Sequence, residues 1–169
     1  MSKRLVLVDG YNLIKNDPAL SAIEARSLEA GRRALVSRLL TSFNTQTNDI
    51  TVVFDGSDLP LPVPNSERYG AVRVLFSRQG ETADAVILRL VASTPAGRQI
   101  VLLSDDQELR DAVRARGGIV AGSADRARAR PTPADPAQKD GGERPRSAKK
   151  KGNPHRARRR ARRTPVVRW

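Results

Sequence analysis

No cysteine occurs in the 169 residues, and the one histidine, His155, sits near the C-terminal end inside a basic run. The first absence excludes disulfides, thiolate zinc sites and cysteine nucleophiles; nothing argues for an oxidising compartment, so the expected location is the cytoplasm. The second removes histidine acid–base chemistry and a Ser-His-Asp triad from the folded part of the chain. Long apolar runs are missing too. The first one ends at Asp9, too short for a signal-peptide core or a membrane helix, which predicts a soluble protein with no membrane partner. Carboxylates or a metal ion are left to carry any chemistry.

Charge is present in excess and unevenly spread. The formal net charge is +13, yet residues 1–124 hold 15 Lys and Arg against 14 Asp and Glu, while residues 125–169 hold 16 against 4. The length suits one domain and an appendage, so the expected organisation is a folded domain over 1–124 and a disordered Arg/Lys-rich tail over 125–169. Within the tail, Lys149, Lys150, Lys151, Arg158, Arg159, Arg160, Arg162 and Arg163 form clusters able to neutralise several phosphates. They would raise affinity for RNA or the ribosome in a strongly salt-dependent way, without reading sequence.

Within 1–124, "RLVLVD" is continuous and β-branched, the pattern of a strand buried on both faces of a parallel sheet. After a turn, Asp17-Pro18 signals a helix start, and Leu28, Leu35, Leu39 and Phe43 line one side of a helix over 28–43. "DITVVFDG" predicts the second strand. The alternate prolines of "SDLPLPVPNSERYG" suit an extended surface loop, and "AVRVLFS" a third strand. Thr82 is placed to cap a helix striped by Ala83, Val86, Ile87, Leu90 and Val91. "QIVLLSDD" predicts a fourth strand, Ser104 to Gln107 has capping-box spacing for the helix that follows, and "IVAGS" suits a short fifth strand. Strands alternating with helices imply a three-layer α/β domain with a parallel sheet and right-handed crossovers.

In such sheets ligands bind along the edge where the strands' C-terminal ends align. Asp9, Asp55 and Asp105 each end a different strand, and Asp84 lies in the first turn of a helix facing the same edge, with Glu81 and Asp106 nearby. Any one of these is an ordinary turn or cap residue. Together they would repel one another unless cations neutralised them, and oxygen ligands of this kind favour Mg2+ or Mn2+.

The stretches "LVDGYNLI", "VVFDG", "RQGETADAVI" and "VLLSDDQELRD", in this order, resemble the YacP-type branch of the NYN domains, which are PIN-like metal-dependent ribonucleases. The resemblance spans about residues 4–124. It implies a PIN-like fold and an acidic pocket that holds one or two divalent ions and cleaves single-stranded RNA. By position it makes Asp9, Asp84 and Asp105 the main metal ligands and gives Asn12 the task of orienting the site or the scissile phosphate. Asp55 and Asp106 match as further ligands or as support. Two ions about 4 Å apart would activate water and stabilise an in-line displacement on phosphorus without histidine or cysteine.

Arg68, Arg73 and Arg78 precede the "GETAD" helix and could grip flanking phosphates through forked contacts. Other acidic α/β sites fit less well. A haloacid-dehalogenase-like phosphatase needs an aspartate where Tyr11 stands, a receiver domain needs a lysine late in the sheet, and no Walker A or G-x-G-x-x-G stretch follows the first strand. The sequence therefore predicts a divalent-metal-dependent endoribonuclease with a basic tail that holds RNA or a ribosome. The alternative is a non-catalytic RNA- or ribosome-binding protein on the same fold.

Overall fold

In the computed structural model, residues 2–56, 65–123 and 125 are described. Six strands, β1 (Arg4–Asp9), β2 (Asn48–Phe54), β3 (Ser66–Tyr69), β4 (Val72–Phe76), β5 (Ile100–Leu103) and β6 (Ile119–Ala121), form one sheet in the order β3-β4-β2-β1-β5-β6. The helices are α1 (Gly10–Asn16), α2 (Pro18–Glu24), α3 (Leu28–Ser42), α4 (Ala83–Ser93) and α5 (Gln107–Ala115). Every strand pair is parallel except β3–β4, which is antiparallel. The domain is an α/β fold with a mixed, mostly parallel sheet.

Side-chain alternation in β1 sorts the two faces. Val6 and Val8 enter a core shared with Leu13, Ile14, Leu35 and Leu39 of α1 and α3; Leu5 and Leu7 enter the opposite core with Val86, Ile87, Leu109 and Val113 of α4 and α5. Burial on both faces is why the strand reads as continuous rather than alternating. The chain leaves β1 across one face to β2, and α4 returns across the other face to β5 on the far side of β1. The topology therefore switches direction at β1, and a crevice opens beyond the C-terminal ends of β1 and β5.

Four local features differ from expectation. Residues 10–16 form α1 rather than a turn: Asp9 accepts the Asn12 N–H and caps a helix that begins without a gap. Gly10 permits this, because a Cβ there would collide with the Phe54 ring. Ser66–Tyr69 is a strand, joined to β4 by a tight turn in which Gly70 has φ of 59°; its mostly exposed polar side chains lack the apolar pattern of a buried strand. Leu28, the first residue of α3, is 40% exposed instead of facing the core. The cap of α5 is Asp106, which accepts the Leu109 N–H at 2.9 Å, and not Ser104.

Other start signals hold. Asp17 caps α2 with Pro18 at its first position, and Thr82 caps α4 by accepting the Ala85 N–H at 3.2 Å. Among the described residues no helix is long and apolar enough to cross a membrane. The tail clusters Lys149, Lys150, Lys151, Arg158, Arg159, Arg160, Arg162 and Arg163 lie outside the described residues.

Candidate functional site

Asp9 ends β1 at the switch point and is only 7% exposed. One carboxylate oxygen accepts the Asn12 N–H at 3.4 Å, and the other accepts the Ser104 hydroxyl at 3.2 Å from the end of the neighbouring strand. Burial pushes its pKa up from 3.8 to about 6; the Asn12 and Ser104 hydrogen bonds oppose the rise, and the Asp84 and Asp106 charges add to it. Asp84, in the first turn of α4, is also raised above the usual carboxylate range. Burial is the largest cause, followed by repulsion from Asp106, Glu108 and Asp55.

These shifts define which acids share one field. Asp9, Asp55, Asp84, Asp106 and Glu108 do, and a cleft of 240 Å³ between the starts of α4 and α5 is lined by Asp84, Asp106 and Glu108. Among the described residues no ion pair joins Asp9, Asp84, Asp106 or Glu108 to a cation. Glu108 went unnoticed in the sequence because it looks like an ordinary acidic first-turn residue. Ser104 was read as a cap, whereas its hydroxyl donates to Asp9 and accepts the Asp106 N–H at 3.0 Å.

The remaining candidates take different positions. Asp105 is not among the residues that line the cleft beside Asp84. One of its oxygens accepts the Ser123 N–H at 2.9 Å, and the other, Oδ2, is buried and has no hydrogen-bond partner among the described residues. Asn12 accepts the Asp105 N–H at 2.9 Å, so it orients the loop after β5. Asp55 follows β2 and accepts the Ser77 hydroxyl at 3.5 Å. Glu81 is paired with Arg89, on the other side of α4 from the cleft. Arg68 and Arg73 are exposed on the β3–β4 hairpin, and Arg78 is exposed past the end of β4.

Residues 6–159 match the YacP-like NYN domain. The chain belongs to this family. Its match runs past residue 124 into the basic segment. A YacP-like NYN relative from Bacillus subtilis (strain 168), described as "Uncharacterized protein YacP", is 30% identical over 116 residues, which is 68% of each chain. Two crystal structures of Rae1 (YacP) from Bacillus subtilis share the fold with a TM-score of 0.57. One, of a mutant, is 28% identical and covers 72% of this chain and 70% of that one; for the other the values are 29%, 73% and 70%. YacP-like NYN domains are nuclease-like and RNA-related, and NYN and PIN-like nucleases generally use divalent metal ions.

The donors suit such an ion in kind. All are carboxylate oxygens, hard ligands that favour Mg2+ or Mn2+, and the orphaned Oδ2 of Asp105 is a further buried oxygen that a cation or its bound water would satisfy. Among the described residues no three His, Cys, Asp or Glu side chains stand close enough together to hold a metal between them. Mg2+ asks for less than that, because it keeps several waters and takes one or two carboxylates plus substrate phosphate oxygens.

Proposed function

We propose that this chain is a divalent-metal-dependent endoribonuclease that cleaves single-stranded RNA at the acidic edge of its sheet. The observation that carries the reading is Asp9: a buried carboxylate at the topological switch point, in the field of Asp84 and Asp106, with no cationic partner among the described residues. Burying a charge without a counter-charge is costly, so a fold that keeps one at its ligand-binding edge favours a cation there.

Asp9, Asp84 and Asp106 would hold the ion, with Asp55, Asp105 and Glu108 around them. A bound Mg2+ or Mn2+ would lower the pKa of a water and neutralise charge on the scissile phosphate. The protein's own residues do the positioning. Ser104 fixes one oxygen of Asp9, Thr82 sets the first turn of α4 that carries Asp84, and Asn12 holds the loop that carries Asp105 and Asp106. The basic segment beyond the described residues would add a salt-dependent hold on RNA or on a ribosome.

A non-catalytic RNA-binding protein is the second reading, favoured by the fact that Asp9 and Asp106 also serve as helix caps. One experiment separates the two. End-labelled single-stranded RNA should be cut by the full chain with Mn2+ or Mg2+, not with chelator, and not by a folded Asp84→Asn variant. Intact RNA under every metal condition would leave the binding protein as the reading; equal cutting by Asp84→Asn would remove Asp84 from the site.

A further inference from the structure

The β3–β4 hairpin presents one face that no helix covers completely. Its antiparallel register sets Ser66 opposite Leu75 and Arg68 opposite Arg73. Directly opposed residues point to the same side of a sheet, and a step of two along each strand returns to that side, so both rows share one face. It is the α4 face: Leu75 packs against the core under α4, while Val72, Val74 and Phe76 point into the core on the other side.

Between this face and α4 runs a groove of 420 Å³, with Ser66 and Leu75 from the hairpin, Val86 and Arg89 from α4, and Arg78 and Glu81 from the connection between them. Glu81, the one acid among the groove's described lining residues, is paired with Arg89. Arg68 and Arg73 stand in the next row, both exposed and, among the described residues, without an ion pair. Like charges placed directly opposite each other on a sheet are unfavourable, so the pair weakens the hairpin unless an anion lies between them. Two arginines set opposite each other on adjacent strands carry guanidinium forks of the kind that match the oxygens of a phosphate.

The groove and the acidic cleft flank the start of α4 on opposite sides: Glu81 lines the groove, and Thr82 and Asp84, one and three residues further on, line the cleft. Arg73 lies three residues back from Phe76, roughly 10 Å along the strand, so the arginine row is reached only by a chain that continues well past the acids.

We infer that this groove holds the RNA backbone on one flank of the cleaved phosphate, with Arg68 and Arg73 closing together on a single phosphate. The inference rests on the nuclease reading above and adds to it a requirement for substrate extending to one side of the cut.

The test uses the full chain with chelator present and end-labelled single-stranded RNAs trimmed stepwise from either end. Arg68→Gln/Arg73→Gln should bind the longest RNA more weakly and flatten the slope of log affinity against log salt by about 0.7, the value for one phosphate on a single strand. Trimming one end, and not the other, should erase the difference between variant and wild type. Arg68→Lys/Arg73→Lys should restore most of the slope, and the two single Gln variants serve if the double variant does not fold. Unchanged affinity and slope, or an equal loss on RNAs of every length, would overturn the groove. Failure of the nuclease reading looks different: no cleavage of any RNA with Mg2+ or Mn2+, with the binding comparison still readable.

Discussion

The side-chain oxygen of Asn12 accepts the backbone N–H of Asp105 at 2.9 Å, joining the helix that follows β1 to the loop that follows β5. The same residue's backbone N–H donates to Asp9. Asn12 thus spans the two strand ends that flank the switch point, and its part is to set the spacing between Asp9 and the Asp105–Asp106 loop.

Asn12→Ala removes this acceptor and leaves the part-buried Asp105 N–H without it. A loss of about 1–3 kcal/mol in unfolding free energy is expected, together with reduced RNA cleavage by the folded fraction. Asn12→Asp keeps an acceptor oxygen and should fold better than the alanine variant while adding a negative charge beside the acids. Urea unfolding combined with cleavage rates checks both. An alanine variant with native stability and rate would show that the loop is held by other interactions.

Asp9 makes stability depend on pH in a direction opposite to most carboxylates. Its pKa is 3.8 in an unfolded chain and about 6 in the fold, so the folded state binds its proton more tightly. The stabilisation from protonated Asp9 is fully present below pH 3.8 and is lost as pH rises through 6, amounting to about 3 kcal/mol across that window. Asp9→Asn keeps a cap residue without the charge. In chelator it should be more stable than wild type above about pH 6, with the gap closing between about pH 6 and 4. Parallel denaturation curves from about pH 4 to 8 measure this, and a gap that does not vary with pH would mean that Asp9 is not buried as a charge.

Much of this architecture was legible before folding, because β1, β2 and β5 are buried on both faces and so carry unbroken aliphatic runs that end at Asp9, Asp55 and Ser104. The β3 strand was not legible, since its burial is too slight to print an apolar pattern; only the Tyr69-Gly70 turn hinted at it. The acids were legible as a set, and the resemblance ranked Asp105 ahead of Asp106 as a metal ligand, whereas it is Asp106 that lines the cleft with Asp84. Asp105 and Asp106 are adjacent in sequence, and which of them faces the cleft depends on the cap of α5 and on the Ser123 N–H, both tertiary facts. Glu108 and Ser104 were hidden by ordinary helix-start roles that they also resemble.

That sorting predicts unequal effects of two neighbouring substitutions. Asp106→Asn should abolish both cleavage and the rise in melting temperature that millimolar Mn2+ gives the wild type through linkage, as Asp84→Asn should. Asp105→Asn should retain part of the Mn2+ shift, because one of its oxygens is already committed to Ser123. Thermal melts with and without Mn2+ rank the three variants. A full shift in Asp106→Asn with none in Asp105→Asn would reverse the roles of the two residues.

The basic segment gives the last prediction. Residues 1–124 are nearly balanced in charge, so almost all of the +13 lies beyond them. Asp125 still belongs with the folded part, since it accepts the Gly122 N–H at 2.9 Å and stands 4.0 Å from Arg110. Truncation after residue 130 therefore spares that pairing while removing Lys149 to Lys151 and the arginines from 158 to 163. RNA affinity should fall, and the slope of log affinity against log salt should flatten by about 0.7 for each phosphate that the segment neutralised. Cleavage at saturating RNA should survive, because every acid proposed to hold the metal lies before residue 125. A truncated chain with full affinity and full slope would make the segment passive. One that folds and binds but no longer turns over would mean that the segment helps to build the site, an outcome consistent with the family match running on to residue 159.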